Sequence, residues 1–120
     1  MSKPRSPRMR KVNELLREVI AEEALELKDP RIGFLTITGV DTAPNLRNAI
    51  VYYSVIGDEA ERDATATALK SAAKRLQAAI GAQTRLKFTP VLEFRTDPAI
   101  EEGIRMDRLI QELHENEEKP

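Results

Sequence analysis

Apolar residues recur at helical spacing through Val12, Leu15, Leu16, Val19, Ile20 and Leu27, and the pattern then changes to alternation from Phe34 to Val40. A switch from a period near 3.6 to a period of 2 predicts a first helix followed by a strand. Ser6 and Pro7 suit the N-cap and first helical position, since serine accepts from a free backbone N–H and proline has none to leave unsatisfied. At the other end Pro30 removes a donor and pushes Asp29 out of the helical region, so the helix must end near Leu27.

A second strand is expected from Ala49 to Ile56, rich in Ile, Val and Tyr. Between the strands, Asp41-Thr42-Ala43-Pro44-Asn45 supplies turn chemistry, which predicts an antiparallel hairpin with Tyr52 and Tyr53 on opposite faces. Gly57-Asp58-Glu59-Ala60-Glu61 reads as a helix start, with acids at the positive end of the dipole. That helix continues through Ile80 on a buried stripe of Leu69, Ala72, Leu76, Ala79 and Ile80, and Gly81 is expected to close it in a left-handed cap. Leu86 to Arg95 reads as a third strand whose internal Pro90 implies an edge position or a bulge. Asp97-Pro98 ends it, Gly103 interrupts the next segment, and Ile104, Leu109, Ile110 and Leu113 mark a terminal helix that frays into an acidic tail. The order predicts a single α+β domain, a small three-stranded sheet with helices on one face.

Composition narrows this picture. A chain of 120 residues with 41% hydrophobic content matches one core and leaves no room for a second domain. The absence of cysteine excludes disulfides, thiol nucleophiles and cysteine-built zinc sites, and suits a reducing cytoplasm. Neither a signal peptide nor a membrane span is legible, because no apolar run follows Lys3 and Arg5 and none reaches about 18 residues. The net charge of −1 conceals an asymmetry. Lys3, Arg5, Arg8, Arg10 and Lys11 open the chain without an acid, whereas Glu112, Glu115, Glu117 and Glu118 close it against Lys119. The expected organisation is a flexible basic arm over residues 1–8, a domain over 9–113 and an acidic tail over 114–120. A second acid-free stretch between Asp63 and Glu93 holds Lys70, Lys74, Arg75, Arg85 and Lys87. With Arg8, Arg10 and Lys11 these are the candidate phosphate-contacting residues. Phe34, Phe88 and Phe94 are expected in the core, which leaves few rings for base stacking and favours recognition of shape and phosphate.

Catalytic patterns do not emerge. His114 is the only histidine and falls in the acidic tail, Ser54 and Ser71 have no predicted base nearby, and no phosphate-cradling glycine loop occurs. Adjacent acids such as Glu22-Glu23 and Glu101-Glu102 point apart on a helix and read as solvated surface. The expectation is a protein without catalytic residues, metal or cofactor.

Several stretches, in order, resemble the ribosome-binding factor A family. They are Pro7-Arg8-Met9-Arg10-Lys11-Val12-Asn13-Glu14-Leu15-Leu16, Leu27-Lys28-Asp29-Pro30-Arg31-Ile32-Gly33, Leu35-Thr36-Ile37-Thr38-Gly39-Val40-Asp41, Val51-Tyr52-Tyr53-Ser54-Val55, Leu69-Lys70-Ser71-Ala72-Ala73, Leu86 through Phe94, and Glu102-Gly103-Ile104-Arg105-Met106. The resemblance covers about Arg8 to Leu113 and implies a type II KH-like fold. It also implies a non-enzymatic assembly factor that binds the free small (30S) subunit through 16S rRNA, assists 5′-end processing of the precursor, and works beside assembly GTPases. A cytoplasmic monomer away from membranes is expected. The family kinks its long helix at an Ala-x-Gly motif, which falls here on Ala72-Ala73-Lys74. Lysine is a good helix former, so the expected outcome is a straighter helix, or a kink held by packing alone. The alternative is a protein-interaction adaptor that does not bind RNA.

Overall fold

The computed structural model describes residues 6–118, so Lys3, Arg5 and Lys119 lie outside the described residues. Helix α1 runs Pro7–Leu25, with Ser6 Oγ accepting from the Met9 N–H at 3.2 Å. Arg8, Arg10 and Lys11 therefore sit in its first turns. It ends at Glu26, just short of Leu27, and buries Leu16, Val19 and Ile20, while Leu15 lies on the flank with 40% exposure.

Strands β1 (Phe34–Thr42) and β2 (Asn48–Ile56) form the antiparallel hairpin. Their register slips between Ile37 and Gly39. The extra residue lets Ile37 and Val40, three apart, both face the core, which strict alternation forbids. In β2, Ala49, Val51, Tyr53 and Val55 point inward, and Ile50, Tyr52 and Ser54 are half-buried on the opposite face. Phe34, expected in the core, is 80% exposed. It pairs with Ile56, itself 76% exposed, at the far end of the hairpin.

Helix α2 spans Glu59–Gln83 without a break. Asp58 Oδ1 accepts from Glu61 N–H at 2.8 Å while Glu61 reaches back to the Asp58 N–H, a capping box that satisfies two orphan donors. Gly57 makes this start possible, because a Cβ there would lie 3.0 Å from Glu61 Cβ. Gly81 is not a cap: the helix continues to Gln83 and ends at Thr84, whose N–H and Oγ1 both donate to Ile80 O. The hydroxyl supplies locally what a left-handed glycine would otherwise provide.

Strand β3 covers only Val91–Thr96 and pairs parallel with β2 at the sheet edge, giving the order β1-β2-β3. The ladder starts one residue after Pro90 because proline has no N–H to give, and Val91 N–H donates to Arg47 O at 2.9 Å instead. Arg85 and Lys87 therefore belong to a loop and not to a strand. Helices α1 and α2 cover one face of the sheet, and Leu16, Ile20, Leu69, Leu76, Ile80 and Val51 are fully buried between the layers. Each such side chain contributes about 1.5–3 kcal/mol of burial.

Helix α3 (Pro98–Glu118) passes through Gly103 without interruption and extends beyond Leu113. Among the described residues it makes only marginal contact with the sheet and the other helices. The radius of gyration, 17.1 Å, exceeds the roughly 14 Å of a compact chain of this length, as a projecting helix requires.

Candidate nucleic-acid interface

Strand pairing decides which cations can meet. Thr42 pairs with Ala49, and Asn48 pairs with Val91, so β1 ends where β2 and β3 begin. Asn13 Oδ1 accepts from Thr42 N–H at 2.8 Å, which brings the N-terminal part of α1, with Arg10 and Lys11, to that same end. The loop after α2 arrives there too, carrying Arg85 and Lys87. Asp58, Glu59, Glu61 and Asp63 stand at the opposite end, where α2 begins. Arg10, Lys11, Arg85 and Lys87 thus gather at one end of the sheet, and the acids that open α2 stand at the other.

Most remaining arginines are already balanced. Arg17 pairs with Glu14, and this hydrogen bond holds the Glu14 carboxyl below its usual range and raises Arg17. The Arg31 side chain, and then its backbone N–H, hydrogen-bond to Asp29 and lower that carboxyl to about 2. Arg95 pairs with Glu93 at 3.0 Å and Arg105 with Glu102 at 2.5 Å. Among the described residues, Arg8, Arg10, Lys11, Arg47, Lys70, Lys74, Arg85 and Lys87 have no carboxylate within ion-pair distance.

The candidates do not form one patch. Lys70 lines a groove between α2 and β3 with Tyr53, Thr67, Leu92 and Phe94, and Lys74 is exposed one turn further along α2. Arg75 points the other way, to α1, where it donates to Glu23 Oε1 at 3.1 Å. Ala72 and Ala73 are half-buried within the unbroken α2. Arg47 was missed by sequence reasoning. Its guanidinium carbon lies 4.3 Å from the centroid of the Phe88 ring, and Lys87 Nζ lies 5.5 Å from the same ring. Phe88, expected in the core, is only half-buried and carries two cations. The one local signal was an arginine ending a Pro-Asn turn, a position that exposes its side chain. No group of three potential metal ligands occurs among the described residues.

This α-β-β-α-β-α arrangement around a three-stranded mixed sheet is a type II KH-like domain. The family model described as ribosome-binding factor A matches residues 8–110. A protein of Geobacter sulfurreducens named ribosome-binding factor A is 46% identical over 107 residues, spanning 88% of this chain and 91% of that protein. A namesake in Rubrobacter xylanophilus is 45% identical over 107 residues, 88% of this chain and 87% of its own. The crystal structure of ribosome-binding factor A from Thermus thermophilus superimposes with a TM-score of 0.67 at 30% identity, covering 73% of this chain and 94% of that one. Homology-built coordinates of the Thermus protein, fitted into a cryo-electron-microscopy map of its complex with the 30S subunit, give a TM-score of 0.61 at 31% identity and cover 72% of this chain and 91% of that one. The chain belongs to the ribosome-binding factor A family.

Proposed function

We propose that this chain docks on the free small ribosomal subunit through 16S rRNA and assists late maturation, including 5′-end processing of the 16S precursor. The observation that carries this reading is the set of uncompensated cations at one end of a KH-like domain whose Thermus relative is described in complex with the 30S subunit. The role is non-enzymatic: the protein binds and withdraws, in the cytoplasm, as a monomer, beside assembly GTPases. With few free rings and many free cations, recognition runs through phosphate and RNA shape.

Cosedimentation with isolated small subunits, large subunits and whole ribosomes at low and moderate salt tests it, beside a variant with Arg8, Arg10 and Lys11 reversed in charge. Selective small-subunit binding should weaken steeply with salt and be reduced in the variant, with a log–log slope of about 0.7–0.9 per phosphate contacted. Salt-insensitive binding would sink the mechanism. A second reading, a protein-interaction adaptor, draws support from the apolar stripe on α3, where Met106, Leu109, Ile110 and Leu113 are 48–63% exposed. It requires binding that survives the charge reversal.

A further inference from the structure

The β1–β2 turn is built more rigidly than a solvent loop needs. Leu46 N–H donates to Ala43 O, Asn45 Oδ1 accepts from Arg47 N–H, and Ala43 N–H donates to Asn48 O. Leu46 adopts φ of 63°, a left-handed conformation that a branched apolar residue enters only at a cost. Arg47 O then anchors the first bond of β3, so the turn and the loop carrying Lys87 and Phe88 are fastened together. Strain held by surrounding bonds is a recurrent mark of sites whose geometry matters.

The guanidinium of Arg47 lies over the ring of Phe88, and its side-chain N–H groups have no partner among the described residues. A guanidinium held over a ring can still offer its N–H donors to a pair of acceptor oxygens. Because the ring already holds the side chain, little rotamer freedom is lost on binding. Lys87, over the same ring, adds a second positive charge.

Resting on the RNA-binding reading above, we propose that Arg47, Phe88 and Lys87 form a phosphate-gripping knuckle for rRNA. Arg47 grips two oxygens of one phosphate in a fork, Lys87 neutralises a neighbouring phosphate, and Phe88 is the pedestal that positions both. The knuckle joins two chain segments about 40 residues apart in sequence and lies at the basic end of the sheet.

Equilibrium binding of the full chain to isolated small subunits, and to their deproteinised RNA, measured across a salt series, tests this. Arg47→Gln should weaken both by about tenfold at moderate salt and reduce the log–log salt slope by about one. Arg47→Lys and Phe88→Leu should weaken binding several-fold with the slope unchanged, since charge survives and the fork or its pedestal does not. Lys28→Gln, an exposed cation beyond α1, should change neither by more than about twofold. Thermal melts confirm that each variant is folded, and Arg47→Gln, altering an exposed side chain, remains decisive if Phe88→Leu is not. Wild-type affinity and slope in Arg47→Gln would overturn the knuckle and leave the RNA-binding reading standing. A loss confined to intact subunits, absent on naked RNA, would assign the partner to a ribosomal protein and overturn it too. Failure of the wild-type chain to bind either target would instead overturn the underlying function.

Discussion

Arg75 Nε donates to Glu23 Oε1 at 3.1 Å, fastening the middle of α2 to the last turn of α1 across 52 residues of sequence. The guanidinium also reaches Glu26 O at 3.5 Å. Arg75 is therefore turned toward α1 with its charge already balanced. Arg75→Gln should reduce the salt slope of subunit binding less than Lys70→Gln or Lys74→Gln does. Glu23→Gln, which frees Arg75, should tighten binding. For stability, a double-mutant cycle on this half-exposed pair should give a coupling of about 0.2–1 kcal/mol.

Two buried threonines should respond to the same substitution with opposite sign. Thr65 Oγ1 accepts from Gly33 N–H at 3.2 Å and donates to Glu61 O at 2.9 Å. Thr65→Val removes the acceptor of the Gly33 N–H and should cost about 0.5–1.5 kcal/mol in urea unfolding, with most of the loss restored by Thr65→Ser.

Thr42 is equally inaccessible, yet its Oγ1 has no hydrogen-bond partner among the described residues. Valine matches its shape without the stranded hydroxyl, and the Thr42 N–H keeps its bond to Asn13 Oδ1. Thr42→Val should raise stability by about 1 kcal/mol. A loss in the same urea series would show that the Thr42 hydroxyl has a polar partner in solution.

The Asp29 carboxyl is lowered to about 2 by the Arg31 side chain and then its N–H. A depressed folded-state pKa contributes stability above the unfolded value and loses it as pH falls through the folded one. The affected window here runs from about 4 down to about 2. Carboxyl carbon shifts followed by NMR should place the Asp29 midpoint near 2. In Arg31→Ala that midpoint should move up toward the usual aspartate range, about 3.9.

Removing α3 should barely disturb the domain, because Met106, Leu109, Ile110 and Leu113 stay about half exposed and the helix makes only marginal contact with the rest among the described residues. A chain ending at Asp97 should unfold within about 0.5 kcal/mol of the full one. A larger drop would mean that α3 packs against the core in solution.

The features legible in the sequence are those that local chemistry decides. The Ser6-Pro7 start of α1, the acidic start of α2 at Asp58 and the turn at Pro44-Asn45 are each settled within four residues. The features that escaped depend on distant partners. Gly81 reads as a cap only until Thr84 is seen to close the helix, and Phe34 reads as core only until it is found exposed beside Ile56 at the end of the hairpin. Periodicity predicts a terminal helix at α3, but its failure to pack is a tertiary fact that periodicity cannot carry. The candidate site divides in the same way. Free lysines are visible as acid-free stretches, whereas the neutralisation of Arg75 by Glu23 and the seating of Arg47 on Phe88 are not.

The parallel pairing of β2 with β3 also shapes how the chain comes into being. While it is being synthesised, the hairpin and the first helix emerge early, but the inner edge of β2 stays unpaired until residues through Thr96 have left the ribosome. For that interval, an apolar strand containing Val51, Tyr53 and Val55 presents open backbone groups to any neighbouring nascent chain. Slowing translation after α2 should therefore lower the yield of folded protein more than slowing it after β3 does.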